Sequence, residues 1–109
     1  MPETLAPAPA PALALALTPL QKKIVLAIVD AHLPGQSVKV FGSRTQNTSK
    51  PFSDLDLLVS GRPLGDLLRG ELEEAFDESD LPFRVDIAEA SSLSKAFLAH
   101  VEAQAIELA

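Results

Sequence analysis

A small mixed β-sheet with helices packed on it, an α/β fold of the α+β kind, is the architecture this sequence predicts. Three observations lead there. Short runs at 36–41, 54–59 and 83–88 have strand length, and Gly, Ser or Pro punctuate their ends. Three longer stretches repeat apolar residues at helical spacing. Their order is helix, strand, strand, helix, strand, helix, which lets helices cover a sheet.

The bulk numbers set bounds. With 109 residues the chain is one domain. Residues 1–17 are rich in Ala and Pro, from Ala6 to Ala12 in strict alternation, and read as an extended flexible tail. An alternative is an arm whose Leu13, Leu15 and Leu17 dock on a partner or a second copy. Residues 18–109 form the domain and support one modest core. A formal net charge of −6 argues against direct nucleic-acid binding, which calls for a basic stripe. The absence of Trp and Tyr argues against a stacking platform for single strands. There is no cysteine, hence no disulfide framework and no thiolate zinc site. Leu13–Leu17 is too short to span a bilayer, and the segment before it carries Glu3 and no basic residue. No export and no membrane span are expected, and the cytoplasm is the expected compartment.

Taken in order, Thr18-Pro19-Leu20-Gln21 carries a capping box with Pro at the first helical position. Leu20, Ile24, Ala27, Ile28 and Ala31 give the apolar stripe, widened by Val25 and Val29, and Pro34-Gly35 ends the helix. Lys22, Lys23 and His32 read as surface residues. The first strand runs from Gln36 to Phe41, and the second ends at Ser60-Gly61. A second helix opens at Arg62-Pro63 on Leu64, Leu67, Leu68, Leu72, Ala75 and Phe76. Acids from Glu71 to Asp80 crowd its end and read as a solvated face, or as a docking surface for a basic partner. Phe83 to Ala88 is the third strand. Ser91 or Ser92 then caps a last helix whose apolar face is Leu93, Ala96, Phe97, Val101, Ala105 and Leu108.

The chemistry concentrates between Val40 and Val59. Gly42-Ser43 follows the first strand, and a glycine there admits a close approach of backbone to ligand. Asp54 and Asp56 sit two apart in an otherwise apolar run, so both carboxylates face one way while Leu55, Leu57 and Val59 face a core. Two adjacent carboxylates repel. A hard cation such as Mg²⁺, which takes oxygen ligands, relieves that.

Gly42-Ser43, ten residues, then Asp54-Leu55-Asp56 resembles the G-S-x10-D-x-D pattern of the DNA polymerase beta-type nucleotidyltransferase superfamily. The short length resembles its minimal nucleotidyltransferase branch, whose members pair with HEPN-domain proteins. The resemblance runs from about Thr18 to the C-terminus, and it departs at Asn47, where the family usually has glycine. Asn is the best replacement at a left-handed position.

The resemblance implies a polymerase beta-type fold, with Asp86 on a later strand as the third carboxylate. It makes Asp54, Asp56 and Asp86 the catalytic and metal-binding residues, with two Mg²⁺ ions and ATP as substrate. Gly42, Ser43 and Arg44 become the nucleotide-binding turn. Arg44 itself reads equally well as a phosphate ligand or as the partner of an acid. The Asp54–Asp56 strand is expected to neighbour the Asp86 strand. The implied function is that of an antitoxin transferring AMP from ATP to a hydroxyl on a HEPN toxin. Two alternatives stand beside it: a non-catalytic module that blocks a HEPN partner by occlusion, and the catalytic subunit of a two-subunit transferase acting on a small molecule. The oligomeric state, homo- or hetero-, is open.

Overall fold

The structure, a computed structural model, describes residues 15–46 and 48–108. Residues 1–14, most of the expected tail, lie outside the described residues, as do Asn47 and Ala109. The elements are α1 (Pro19–His32), β1 (Val38–Phe41), a 3-10 turn (Gly42–Thr45), β2 (Leu55–Val59) and α2 (Gly65–Asp77). Then come β3 (Val85–Glu89), a second 3-10 turn (Ala90–Ser92), α3 (Lys95–Gln104) and β4 (Ile106–Glu107).

The sheet has the order β3-β2-β1-β4. β1 is antiparallel to β2, with Val40 opposite Leu57, and antiparallel to β4, with Val40 opposite Ile106. β2 and β3 run parallel, joined by the α2 crossover, so the sheet is mixed as expected. Leu55, Leu57 and Val59 are buried on one face with Val25 and Val29 of α1 and Leu72 and Phe76 of α2. α3 contacts β1 and the turn that follows it, and buries Val101.

The capping box forms as read: Gln21 N–H donates to Thr18 Oγ1 (3.1 Å), and Thr18 N–H to Gln21 Oε1 (3.0 Å). The stripe of α1 is centred differently from the reading. Val25 and Val29 are its buried residues, whereas Leu20 is 67% exposed. α1 packs against α2, and it is the Val25–Val29 line that joins the core.

Three further expectations are corrected. Leu15 and Leu17 pack on the core, and Ala16 N–H donates to the Arg44 carbonyl (2.8 Å). The body therefore begins before Thr18, and these two leucines dock on their own chain. Ser94, not Ser91 or Ser92, caps α3, accepting from Phe97 N–H (3.2 Å). The last helix stops at Gln104 instead of running to Leu108. The chain turns there into β4, and Leu108 N–H donates to the Val38 carbonyl while its side chain enters the core. An open edge on β1 outcompetes one more helical turn. Among the described residues, no helix is long and apolar enough to cross a membrane.

Candidate active site

β1 ends in a sharp change of direction. Gly42 takes φ +82°, a conformation that L side chains rarely adopt. The 3-10 turn then runs through Ser43, Arg44 and Thr45, tied by the Thr45 hydroxyl donating to the Gly42 carbonyl (3.0 Å). The Ser43 carbonyl accepts from Gln46 N–H (3.2 Å), closing the turn. Gly42 lies against Asp56: a methyl group at Gly42 would overlap Asp56 Oδ2. The turn and the β2 carboxylate thus share one small space that only glycine leaves open.

Asp56 stands opposite Phe41 on one side and opposite Asp86 on the other. Parallel pairing in register puts Asp56 and Asp86 side by side on one face. Asp54 is exposed and immediately precedes β2 instead of lying within it. Burial pushes the Asp56 carboxyl up to about 6, and the charges of Asp86 and then Asp54 push in the same direction. Asp56 thus feels the charge of both other carboxylates named from the sequence. Arg84 Nη2 lies 3.8 Å from Asp86, but both side chains are half or more exposed, so this pair is screened and weak.

Among the described residues, no three carboxylate or imidazole groups close into a ready-made metal cluster. What fits a metal is the chemistry of the donor set: oxygen ligands only, with negative charge in excess at Asp56. A hard divalent ion that draws its remaining ligands from water and phosphate suits such a site.

The Arg44 side chain turns into the body and donates to backbone carbonyls, not to an acid. It is 4% exposed, and its guanidinium donates to the carbonyls of Ala16 (2.8 Å) and Ser53 (2.8 and 3.1 Å). Pro51 (3.2 Å) and Lys50 (3.4 Å) accept more weakly. Its side chain is held by carbonyl oxygens inside the body, and burial lowers its pKa.

A second support was not visible in the sequence. Glu89, at the end of β3, accepts from Leu64 N–H (2.8 Å) at the start of α2 and pairs with Arg69 (2.7 Å). The Leu64 hydrogen bond, with help from Arg69, holds the Glu89 carboxyl below the usual range despite its burial. Arg69 also donates to the Ile87 carbonyl (2.6 Å), one residue from Asp86. Partners some twenty residues apart leave no spacing signal.

Asp54 borders an open cleft of about 400 Å³ with Phe52 and Phe83, and Asp86 borders one of about 300 Å³ with Arg69 and Arg84. A larger cleft, about 440 Å³, is walled by Leu15, Leu17 and Phe52 and contains none of the three carboxylates. Charge and strand register mark the site better than volume does.

Fold and strand order define a minimal nucleotidyltransferase domain. The chain belongs to the nucleotidyltransferase domain family, whose model matches residues 22–107. It is 45% identical over 75 residues to the "Probable protein adenylyltransferase MntA" of Haemophilus influenzae, a match spanning 68% of this chain and 66% of that protein. The match thus covers just under two thirds of that relative's length. A solved structure described as a minimal nucleotidyltransferase is 35% identical, with TM-score 0.61 over 80% of this chain and 88% of the other. A crystal structure of a toxin–antitoxin with AMP-PNP is 26% identical, with TM-score 0.67 over 81% and 72%.

Proposed function

We propose that this chain is a metal-dependent adenylyltransferase that moves AMP from ATP to a hydroxyl of a HEPN-domain partner protein, and acts as that partner's antitoxin. The observation that carries the reading is Asp56 in register with Asp86, beside the Gly42–Ser43 turn. The name of the Haemophilus relative supports protein as acceptor and AMP as the transferred group. The AMP-PNP complex supports ATP and the antitoxin role.

In this reading Asp54 and Asp56 would hold two magnesium ions, with Asp86 helping at one of them. Bound there, the ions would supply neutralisation of the charge that phosphoryl transfer develops. The Ser43 hydroxyl and the N–H groups of its turn take the terminal phosphates. Asp86, on the edge strand, aligns the acceptor hydroxyl and receives its proton at a carboxylate oxygen. The hydroxyl oxygen bonds to the α-phosphorus as the bond to pyrophosphate breaks. The reaction belongs to the cytoplasm, where ATP and magnesium are at hand.

The test is the intact mass of a HEPN partner after incubation with this chain, Mg²⁺ and each nucleotide, beside the Asp54→Ala/Asp56→Ala variant. An AMP-sized gain from ATP, lost in the variant, is expected. No gain from a pair that still co-elutes replaces this reading with neutralisation by occlusion.

A further inference from the structure

We infer that Arg44 is a positioning residue that sets, from inside the protein, the mutual spacing of the segments bearing Ser43, Asp54 and Asp86. For its catalytic consequence the inference rests on the transferase reading above.

A guanidinium carries five N–H donors in a rigid plane and does not give up its charge. Burying one is costly unless its donors are met. Here all three of its nitrogens are engaged by backbone carbonyls on two separate segments. One is Ala16, ahead of α1; the other is the loop from Lys50 to Ser53, which delivers the chain to Asp54. Ser53, which receives both Nε and Nη2, is the residue next to Asp54. Arg44 Cζ lies over the Phe83 ring, 4.0 Å from its centroid, a distance at which the cation and the ring attract. Phe83 is buried and directly precedes Arg84, whose carbonyl accepts from Leu55 N–H (2.8 Å) where β2 and β3 begin their pairing. The backbone of Arg44 belongs to the turn beside Ser43.

One side chain therefore touches the chain one residue from Asp54 and three from Asp86, while its own Cα lies one residue from Ser43. Lysine at this position keeps the charge but offers one nitrogen in place of the three that reach Ala16, Ser53 and the Lys50–Pro51 carbonyls. A shift of about 1 Å in reacting groups costs on the order of 10²-fold in rate, so a strut of this kind acts on turnover.

The experiment compares wild type with Arg44→Lys and Phe83→Leu in the transfer reaction, at a temperature where thermal unfolding shows each variant fully folded. Alongside, amide exchange is followed in peptides covering 42–56 and 83–87. The expected result for Arg44→Lys is a fall in kcat of at least about 10-fold, with the KM for ATP within about 3-fold and faster exchange in both peptides. Phe83→Leu, which changes none of the carbonyls that Arg44 donates to, is expected to give a smaller fall of the same kind and keeps the question decidable if Arg44→Lys does not fold. A raised KM for ATP with kcat retained overturns the inference in favour of a phosphate contact. A lowered Tm with kcat retained overturns it in favour of a purely structural role. A wild type without transferase activity removes the proposed function instead, and unchanged exchange in both peptides then removes the inference separately.

Discussion

Gly42 and Asp56 are neighbours across β1 and β2, and the space where a Cβ would stand on the glycine is filled by a carboxylate oxygen. The glycine of the pattern is thus needed twice, for a φ of +82° and for room beside the most perturbed acid of the site. Gly42→Ala is expected to lose about 1–2 kcal/mol from backbone strain alone, and to displace Asp56 as well. Urea unfolding reads the first. Transfer activity falling further than the unfolded fraction accounts for reads the second.

Asp56 makes metal-free stability depend on pH in an unusual direction. Its carboxyl moves from 3.8 to about 6 on folding, so between these values the folded state keeps a proton that the unfolded state has released. Stability falls as pH rises through that window, and the penalty is complete above it. Asp56→Asn is therefore expected to be more stable than the parent above pH 7, with the difference closing toward pH 4. Thermal unfolding of both across pH, with chelator present, checks it.

Magnesium is expected to reverse that penalty. On the proposed metal-dependent mechanism a cation binds the ionised site, so added Mg²⁺ is expected to raise Tm more above pH 6 than at pH 5, and to raise it little in Asp56→Asn. An equal shift in both proteins would place the cation elsewhere.

Glu89→Ala removes both the carboxylate that accepts from Leu64 N–H and the partner of Arg69. The Glu89 side chain is 12% exposed, and a loss of about 2 kcal/mol is expected. Because its pKa is held down, the support from Glu89 is present above the ordinary glutamate value and is lost as pH falls below it. The difference between Glu89→Ala and parent in urea should shrink on acidification.

Leu108 lies beyond α3, yet it is 1% exposed in the main core. Leu108→Ala is expected to cost about 3 kcal/mol, as for other buried leucines. A loss below ~1 kcal/mol would mean that β4 is dispensable.

The features that carry local or alternating patterns were legible in the sequence. The Thr18–Gln21 box, the glycine after β1 and the paired acids around β2 each declare themselves within a few residues. Asp86 was marked by the resemblance alone, and its place beside Asp56 needed the order of two strands. What was hidden depends on contacts between distant segments. The carbonyls of Ala16 and Ser53 that gather around Arg44 come from segments far from it in the chain or across a loop, and no local pattern announces them. Ala105 and Leu108 keep helical spacing, and only the free edge of β1 draws that stretch into a strand. Ser91, Ser92 and Ser94 are equally good caps locally, and the turn at Ala90–Ser92 decides among them.

The parallel pairing of β2 with β3 also dictates when, during synthesis, the site comes into being. Ser43, Asp54 and Asp56 leave the ribosome together, and Asp86 follows about thirty residues later, after the whole of α2. Hairpin contacts between β1 and β2 are available early, but the α2 crossover must fold back before the third carboxylate reaches the other two, and such non-local pairing is slow. A nascent chain stalled within α2 thus holds the Gly42–Ser43 turn and two of the acids without the third.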